Sequence, residues 1–291
     1  MTADSTAETS EQPLPLADLI AAASGDEPAL TWRERGERIE LGWTTLRTWA
    51  EKVAGWLRDD VEREPGDVLA VDAGRHWMGI AAVLGAWRAR VAVRLGPARP
   101  GEAAVVAEDR SAASDADPDA MLVVGPGGFG APEAPLAAGE PFTTVVTPMP
   151  DASHAPRPHE RDVAVVDPDG ADAEPLTQAA VSRAAHVAAV AAGTTRGARL
   201  ASVVPTDAVA GLVIGPLAAW ASRGPAVLVG EGPGEDPVAL AAAERASLLV
   251  ARPDQAAALV GTDAAEGDGR PLRVAALECR VQHGAVAVRP A

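Results

Sequence analysis

Residues 65–95, PGDVLAVDAGRHWMGIAAVLGAWRARVAVRL, hold one strand–helix–strand unit, and their reading decides the fold. Pro65-Gly66-Asp67 breaks the preceding segment, because proline and glycine punctuate regular structure. Val68 to Val71 is a short apolar run of the length of a buried strand. Residues 76–89 are long and apolar enough for a helix, and 91–95 is a second short strand. The spacing therefore predicts the crossover of a parallel sheet.

Working outward, residues 29–43 read as a hairpin turning at Arg35-Gly36-Glu37. Leu46, Trp49, Val53, Trp56 and Leu57 recur at spacings of three and four, which puts them on one face of a helix over 44–60. An acidic tail over 1–13, expected to be disordered, and a short helix over 14–23 precede these elements. Beyond the central unit, 111–118 is an acidic loop, and 121–124 and 142–147 are expected strands. Residues 148–161 carry four prolines and two histidines without apolar periodicity and read as a linker. The alternation then resumes, with strands at 163–166, 200–204, 226–229 and 248–250 and helices at 176–192, 209–221, 237–246 and 255–260. Strand-like runs at 272–277 and 285–288 close the chain. The expectation is an α/β protein of two mainly parallel βαβ lobes, 14–147 and 162–291, joined by 148–161.

Composition excludes several function classes. The chain of 291 residues has 25 Lys+Arg against 41 Asp+Glu, a formal charge of −16, which repels nucleic-acid phosphates and anionic lipid surfaces. Cys279 is the one cysteine, so intrachain disulfides and multi-cysteine zinc clusters are ruled out. No apolar run reaches the length of a membrane span, and Met1 to Gln12 is polar and acidic rather than signal-like. A cytoplasmic location is expected.

Several stretches together resemble the large N-terminal domain of the adenylate-forming superfamily, which includes the AMP-forming acyl-CoA synthetases. Leu41-Gly42-Trp43-Thr44-Thr45-Leu46 resembles its opening LTYxEL, residues 65–71 its PGDRVAV, and Leu84-Gly85-Ala86-Trp87-Arg88-Ala89 its LGALRAG. In the second half, Asp162-Val163-Ala164-Val165-Val166 is similar to DxAxI and Leu176-Thr177-Gln178 to LTH. Residues 203–230 resemble the long run that opens LPLFHVxGL, and Leu272-Arg273-Val274 a later LRxxxxGG. The pattern is also similar to short actinobacterial proteins that keep this front part only, whose specific role the resemblance leaves open.

The departures carry as much meaning. The resemblance places a Gly/Ser/Thr-rich phosphate loop, TSGTTGxPKG, between Val166 and Leu176, where this chain has Asp167-Pro168-Asp169-Gly170-Ala171-Asp172-Ala173-Glu174-Pro175. Adenylation needs backbone N–H groups, hydroxyls and a cation around a triphosphate. This segment offers four carboxylates, no hydroxyl and no cation, and like charges about 4 Å apart repel by ~1 kcal/mol even in water. The sole lysine is Lys52, and the family's YGxTE motif, ribose-binding aspartate and lysine-bearing domain would fall beyond residue 291. No catalytic residue is therefore assigned and no cofactor is expected; the chain reads as a non-catalytic relative with a protein partner or a small hydrophobic ligand. One alternative is an AMP-forming ligase completed by a partner chain.

Other motifs have plainer readings. Gly193, Thr194, Thr195 and Gly197, with Arg196 between them, are the candidate phosphate contacts, but they follow a helix rather than precede one, so a glycine helix stop is favoured. Gly125-Pro126-Gly127-Gly128-Phe129-Gly130 fits GxGxxG after a strand, the basis of a second alternative, a nucleotide-binding oxidoreductase. That needs a helix from about Gly130, which Pro132 and Pro135 oppose, so a flexible surface loop is favoured. The carboxylates of 167–174 miss calcium-loop spacing and read as a solvated acidic turn. His76, His154, His159, His186 and the Cys279/His283 pair complete no metal pattern. Six tryptophans between Trp32 and Trp87 have core spacing, although they could border a hydrophobic cleft.

Overall fold

The computed structural model describes residues 25–168, 170, 173–230, 235–259 and 272–291; the expected tail and the helix at 14–23 lie outside them. Strands β1 (Pro28–Glu34) and β2 (Glu37–Gly42) form the expected hairpin. Arg35 and Gly36 at its tip have φ of 53° and 76°, the pair of left-handed residues that a tight two-residue turn needs to match strand twist. Helix α1 (Trp43–Gly55) continues through a π-helical turn at Trp56–Asp60. The central unit comes next as β3 (Val68–Asp72), α2 (Trp77–Arg88) and β4 (Ala92–Leu95), with β3 and β4 parallel.

After it stand β5 (Ala103–Ala107), α3 (Glu108–Ser111), β6 (Met121–Val124), β7 (Glu140–Pro141) and α4 (Phe142–Val146). The chain continues with β8 (Val163–Val165), β9 (Leu176–Thr177), α5 (Gln178–Ala191) and β10 (Leu200–Ser202). A kinked helix runs from α6 (Val209–Leu212) through a π-helical turn over Val213–Leu217 into α7 (Ala218–Ala221), bending where Pro216 follows Gly215. Last are β11 (Ala226–Val229), α8 (Pro237–Ala243), β12 (Leu248–Ala251), α9 (Pro253–Leu259), β13 (Arg273–Gln282) and β14 (Ala285–Pro290).

Two seven-stranded, mostly parallel sheets result, ordered β7-β6-β5-β3-β4-β8-β9 and β14-β13-β12-β10-β11-β1-β2. The α/β architecture is the one expected, but the sheets do not follow a division at 148–161. Hairpin β1/β2 joins the second sheet, with Leu30 paired to Ala226, while β8 and β9 join the first, with Val93 paired to Val165. The reason is pairing: β1 is apolar enough to be buried against β11, and the sequence period records burial without naming the neighbour. One core cluster accordingly runs through α1, α2, α5 and facing strands of both sheets.

Three further expectations change. Residues 142–147 were expected as a strand, but Phe142 and Val146, four apart and fully buried, form one face of α4; burying that face outweighs the strand preference of Thr and Val. Strand β5 was not anticipated, because Ala103-Ala104-Val105-Val106 lacks alternation, as strands buried on both faces do. The linker is fastened along the first sheet's helices. Lys52 Nζ donates to the carbonyl oxygens of Thr147, at 2.8 Å, and Met149, Glu51 accepts from Ser153 N–H at 3.0 Å, and Arg88 donates to the Ala155 carbonyl at 2.8 Å.

Candidate functional site

Helix α2 carries the chain from β3 to β4 on one side, and β5 then returns to the other side of β3 before β6 and β7 continue outward. Neighbouring β3 and β5 thus send their connections in opposite directions, and the crevice beyond the carboxyl ends at such a switch point is where open α/β sheets take ligands. A cleft of about 470 Å³ opens there. Its near wall is built from 73–76 after β3, 107–110 after β5 and Gly125 after β6; its far wall holds Glu34, Arg35 and Asp207 of the second sheet.

Polar contacts join the two walls. Arg110, the residue that ends the β5 wall, donates to Asp72 at the end of β3 and to Asp207 Oδ2 at 3.2 Å. Burial alone would lower the Arg110 pKa, but Asp72 and Asp207 outweigh it and raise it above the ordinary arginine value. Arg75 Nε donates to the Val203 carbonyl at 3.0 Å, and the Thr206 hydroxyl to that of Gly74 at 2.6 Å. Glu108 fixes the outer rim by accepting the N–H groups of Glu133 and Ala134 at 2.9 Å each.

His76 caps α2. Its Nδ1 accepts from Met78 N–H at 3.2 Å, which leaves Nε2 to donate to the Gly127 carbonyl at 3.0 Å. Burial lowers its pKa from 6.5 to about 4, so the imidazole is neutral at pH 7. The indole N–H of Trp77 reaches the Gly128 carbonyl at 2.6 Å, and Gly128 N–H reaches Glu37 at 2.6 Å. The glycine loop is therefore a surface loop held in place rather than free: Phe129 is exposed, but a Cβ on Gly125 would lie 2.0 Å from the Ala131 carbonyl oxygen. No helix starts at Gly130, since the next is α4, so the condition for a dinucleotide site is unmet.

Gly193 and Thr194 end α5 in a Schellman motif: Thr194 N–H bonds Ala189 O at 3.0 Å, Gly193 N–H bonds Val190 O at 2.9 Å, and Gly193 has φ 67°. Thr195 accepts from Ala198 N–H and Gly197 donates to Ser222 O, which completes a turn; none of the four lines the cleft. The six tryptophans pack the core, five nearly wholly buried and Trp49 half-buried against Trp77 at a ring separation of 5.3 Å.

Asp167 is not solvated as expected. Its carboxylate meets Arg94 and, at 2.7 Å, Arg99; Asp169 and Asp172 lie outside the described residues. Among the described residues no group of three or more His, Cys, Asp or Glu is placed to hold a metal ion. Cys279 sits within β13 while His283 is in the turn after it, and burial pushes the thiol up to about 11. Sequence reasoning missed Asp72, Arg75, Arg110 and Asp207; a charge closing the apolar run of β3 was the available signal for the first.

No family model matches the chain. A Mycobacterium tuberculosis protein that carries a family designation rather than an activity in its name is 30% identical over 125 residues, 42% of this chain and 48% of its own length. The acyl-CoA synthetase of Brucella canis superposes with a TM-score of 0.69 at 17% identity, covering 85% of this chain and 49% of that one. The long-chain-fatty-acid-CoA ligase of Archaeoglobus fulgidus gives 0.66 at 15% identity, with 86% and 54% covered. The chain spans about half the length of each of these proteins. At the level of fold the resemblance holds: the two mostly parallel sheets and their helices are those of the N-terminal domain of acyl-CoA synthetases.

Proposed function

We propose that the chain is a non-adenylating relative of the acyl-CoA synthetases whose cleft holds a small polar ligand. The observation that carries this reading is Asp167, clasped by Arg94 and Arg99 in the segment between β8 and β9. Where the resemblance puts a phosphate cradle, a carboxylate stands with its own cations already engaged. Adenylation builds negative charge at the α-phosphate and gains most from preorganised donors there; losing one such donor costs roughly a hundredfold or more. Asp169, Asp172 and Glu174 add further negative charge to the same stretch of sequence. The cleft supports a polar rather than a hydrophobic ligand, because Arg35, Arg75, Arg110, Glu34, Glu108 and Asp207 line it and the tryptophans do not. No helix of the described residues is long and apolar enough to cross a membrane, in keeping with a cytoplasmic role.

The test is pyrophosphate release and hydroxamate capture of acyl-adenylate from ATP, Mg²⁺ and a panel of fatty and aromatic acids, with a full-length synthetase as positive control. Background release is expected. Turnover that co-purifies with the chain overturns the reading, and turnover that appears only when a second chain is added favours a ligase completed by a partner.

A further inference from the structure

Outside the cleft, two guanidinium groups converge on one oxygen. Arg94 on β4 has a side chain nine-tenths buried, with 10% exposed. Its Nε and Nη2 hold the Glu102 carboxylate in a bidentate pair at 3.0 and 2.8 Å. Nη1 remains, and it meets Oδ2 of Asp167. Arg99 Nη2 reaches that same oxygen at 2.7 Å. Glu102 also accepts the Arg99 N–H at 2.8 Å, so one carboxylate sets the position of both arginines.

The two acids differ in origin. Glu102 follows the arginines in the β4–β5 connection, whereas Asp167 arrives from a distant segment with φ 47°, in the left-handed region that side chains other than glycine adopt at a cost. Without Asp167 the group would be two arginines against one carboxylate, a net positive charge in which the buried Arg94 N–H donor and the half-exposed cation of Arg99 surround one vacated point. A buried charge-assisted donor with a second guanidinium charge beside it is a recognition element for an oxyanion, and guanidinium is the side chain best matched to phosphate. We propose that Arg94 and Arg99 form an oxyanion site that Asp167 occupies from within, and that a phosphate or pyrophosphate oxyanion competes with this carboxylate for the pair. As an intramolecular occupant Asp167 acts at an effective concentration on the order of millimolar, so an external anion competes poorly in the native chain.

The inference rests on the segment that also carries the non-adenylating reading, and its test separates the two. Inorganic pyrophosphate is titrated calorimetrically at low ionic strength into the full chain, Asp167→Gly, and Asp167→Gly combined with Arg99→Ala, each checked for folding by circular dichroism. Glycine takes φ 47° without strain, so Asp167→Gly is expected to fold; Asp167→Ala, which also removes the carboxylate from the point, carries the same test if it does not. Expected is binding at least tenfold tighter in Asp167→Gly than in the native chain, with the gain abolished by Arg99→Ala. Equal binding by native chain and variant, or a gain that survives Arg99→Ala, overturns the proposal. The titration contains neither ATP nor acid. Adenylate formation by the native chain would sink the non-adenylating reading and leave this result standing, while a missing pyrophosphate gain would sink this inference alone.

Discussion

The indole of Trp32 lies against the imidazole of His76 with ring centroids 4.8 Å apart, which joins β1 of the second sheet to the cap of α2 on the first. His76 is thereby sealed in an interface where it caps a helix and donates to Gly127, while the protonated ring would lose its acceptor role toward Met78.

Acid sensitivity is the consequence of that seal. The folded pKa of His76 is lowered from 6.5 to about 4, by burial first. Above pH 6.5 both folded and unfolded chains hold the ring neutral and its full contribution is present. Between pH 6.5 and 4 only the unfolded chain takes up the proton, so stability falls as pH falls. The loss approaches about 3 kcal/mol below pH 4, because each tenfold change in proton affinity is worth roughly 1.4 kcal/mol. The Glu37 charge also acts on the ring, so the measurement is a difference. The gap between the urea midpoints of the native chain and of His76→Asn, which can still cap α2, should narrow as pH falls from 6.5 to 4.5. Parallel curves would mean that the ring is not buried neutral.

Gly85 sets how closely α1 and α2 meet. A Cβ there would stand 2.5 Å from Val53 Cβ and 2.8 Å from the Ala50 carbonyl oxygen, and backbone cannot yield as a flexible side-chain tip does. Gly85→Ala should therefore destabilise by about 1–3 kcal/mol, in the range of overpacked cores, although alanine is the better helix former. A denaturation midpoint equal to or above that of the native chain would show that the helices stand further apart.

Trp56 lies at 3% exposure on the same side of α1 as Val53 and Leu57. Trp56→Ala should cost about 3–5 kcal/mol through lost burial and the cavity left behind. Thermal and urea unfolding of the variant against Arg47→Ala, on the exposed face, provides the comparison; matched stabilities would place Trp56 at the surface.

The parallel crossover of β3, α2 and β4, the hairpin tip at Arg35 and Gly36, and the α1 face were legible because each is a local pattern. Which sheet a strand enters was not. Leu30 and Trp32 announce burial, but their partners Ala226 and Leu228 lie nearly two hundred residues on, and no period encodes that choice. The same limit hid the site. Arg110 reads as one more surface cation beside Glu108 and Asp109 until the return of β5 alongside β3 brings it to Asp72. His76 was visible as a histidine without a metal pattern, yet its cap role depends on Gly127, fifty-one residues away.

Arg110 bridges Asp72 and Asp207, and the two carboxylates are not equivalent. Asp72 is buried, with its side chain 12% exposed, whereas Asp207 is 24% exposed and reaches Arg110 at 3.2 Å. Since Arg110 is itself 40% exposed, solvent screens its charge and the Asp207 contact should be worth under about 1 kcal/mol. Asp207→Asn is therefore expected to leave stability almost unchanged. Arg110→Ala removes the cation that its buried partner meets and should cost about 1–3 kcal/mol, the penalty of leaving a buried polar group unpaired. If that penalty belongs to Asp72, adding Asp72→Asn to Arg110→Ala should restore part of the loss, because a neutral amide is less costly to strand than a carboxylate. The double-mutant cycle, read from urea midpoints at pH 7 and moderate salt, reports the coupling directly. A loss in Arg110→Ala no greater than in Asp207→Asn, or no recovery in the double variant, would show that Arg110 acts as an ordinary surface cation and does not hold the cleft wall through Asp72.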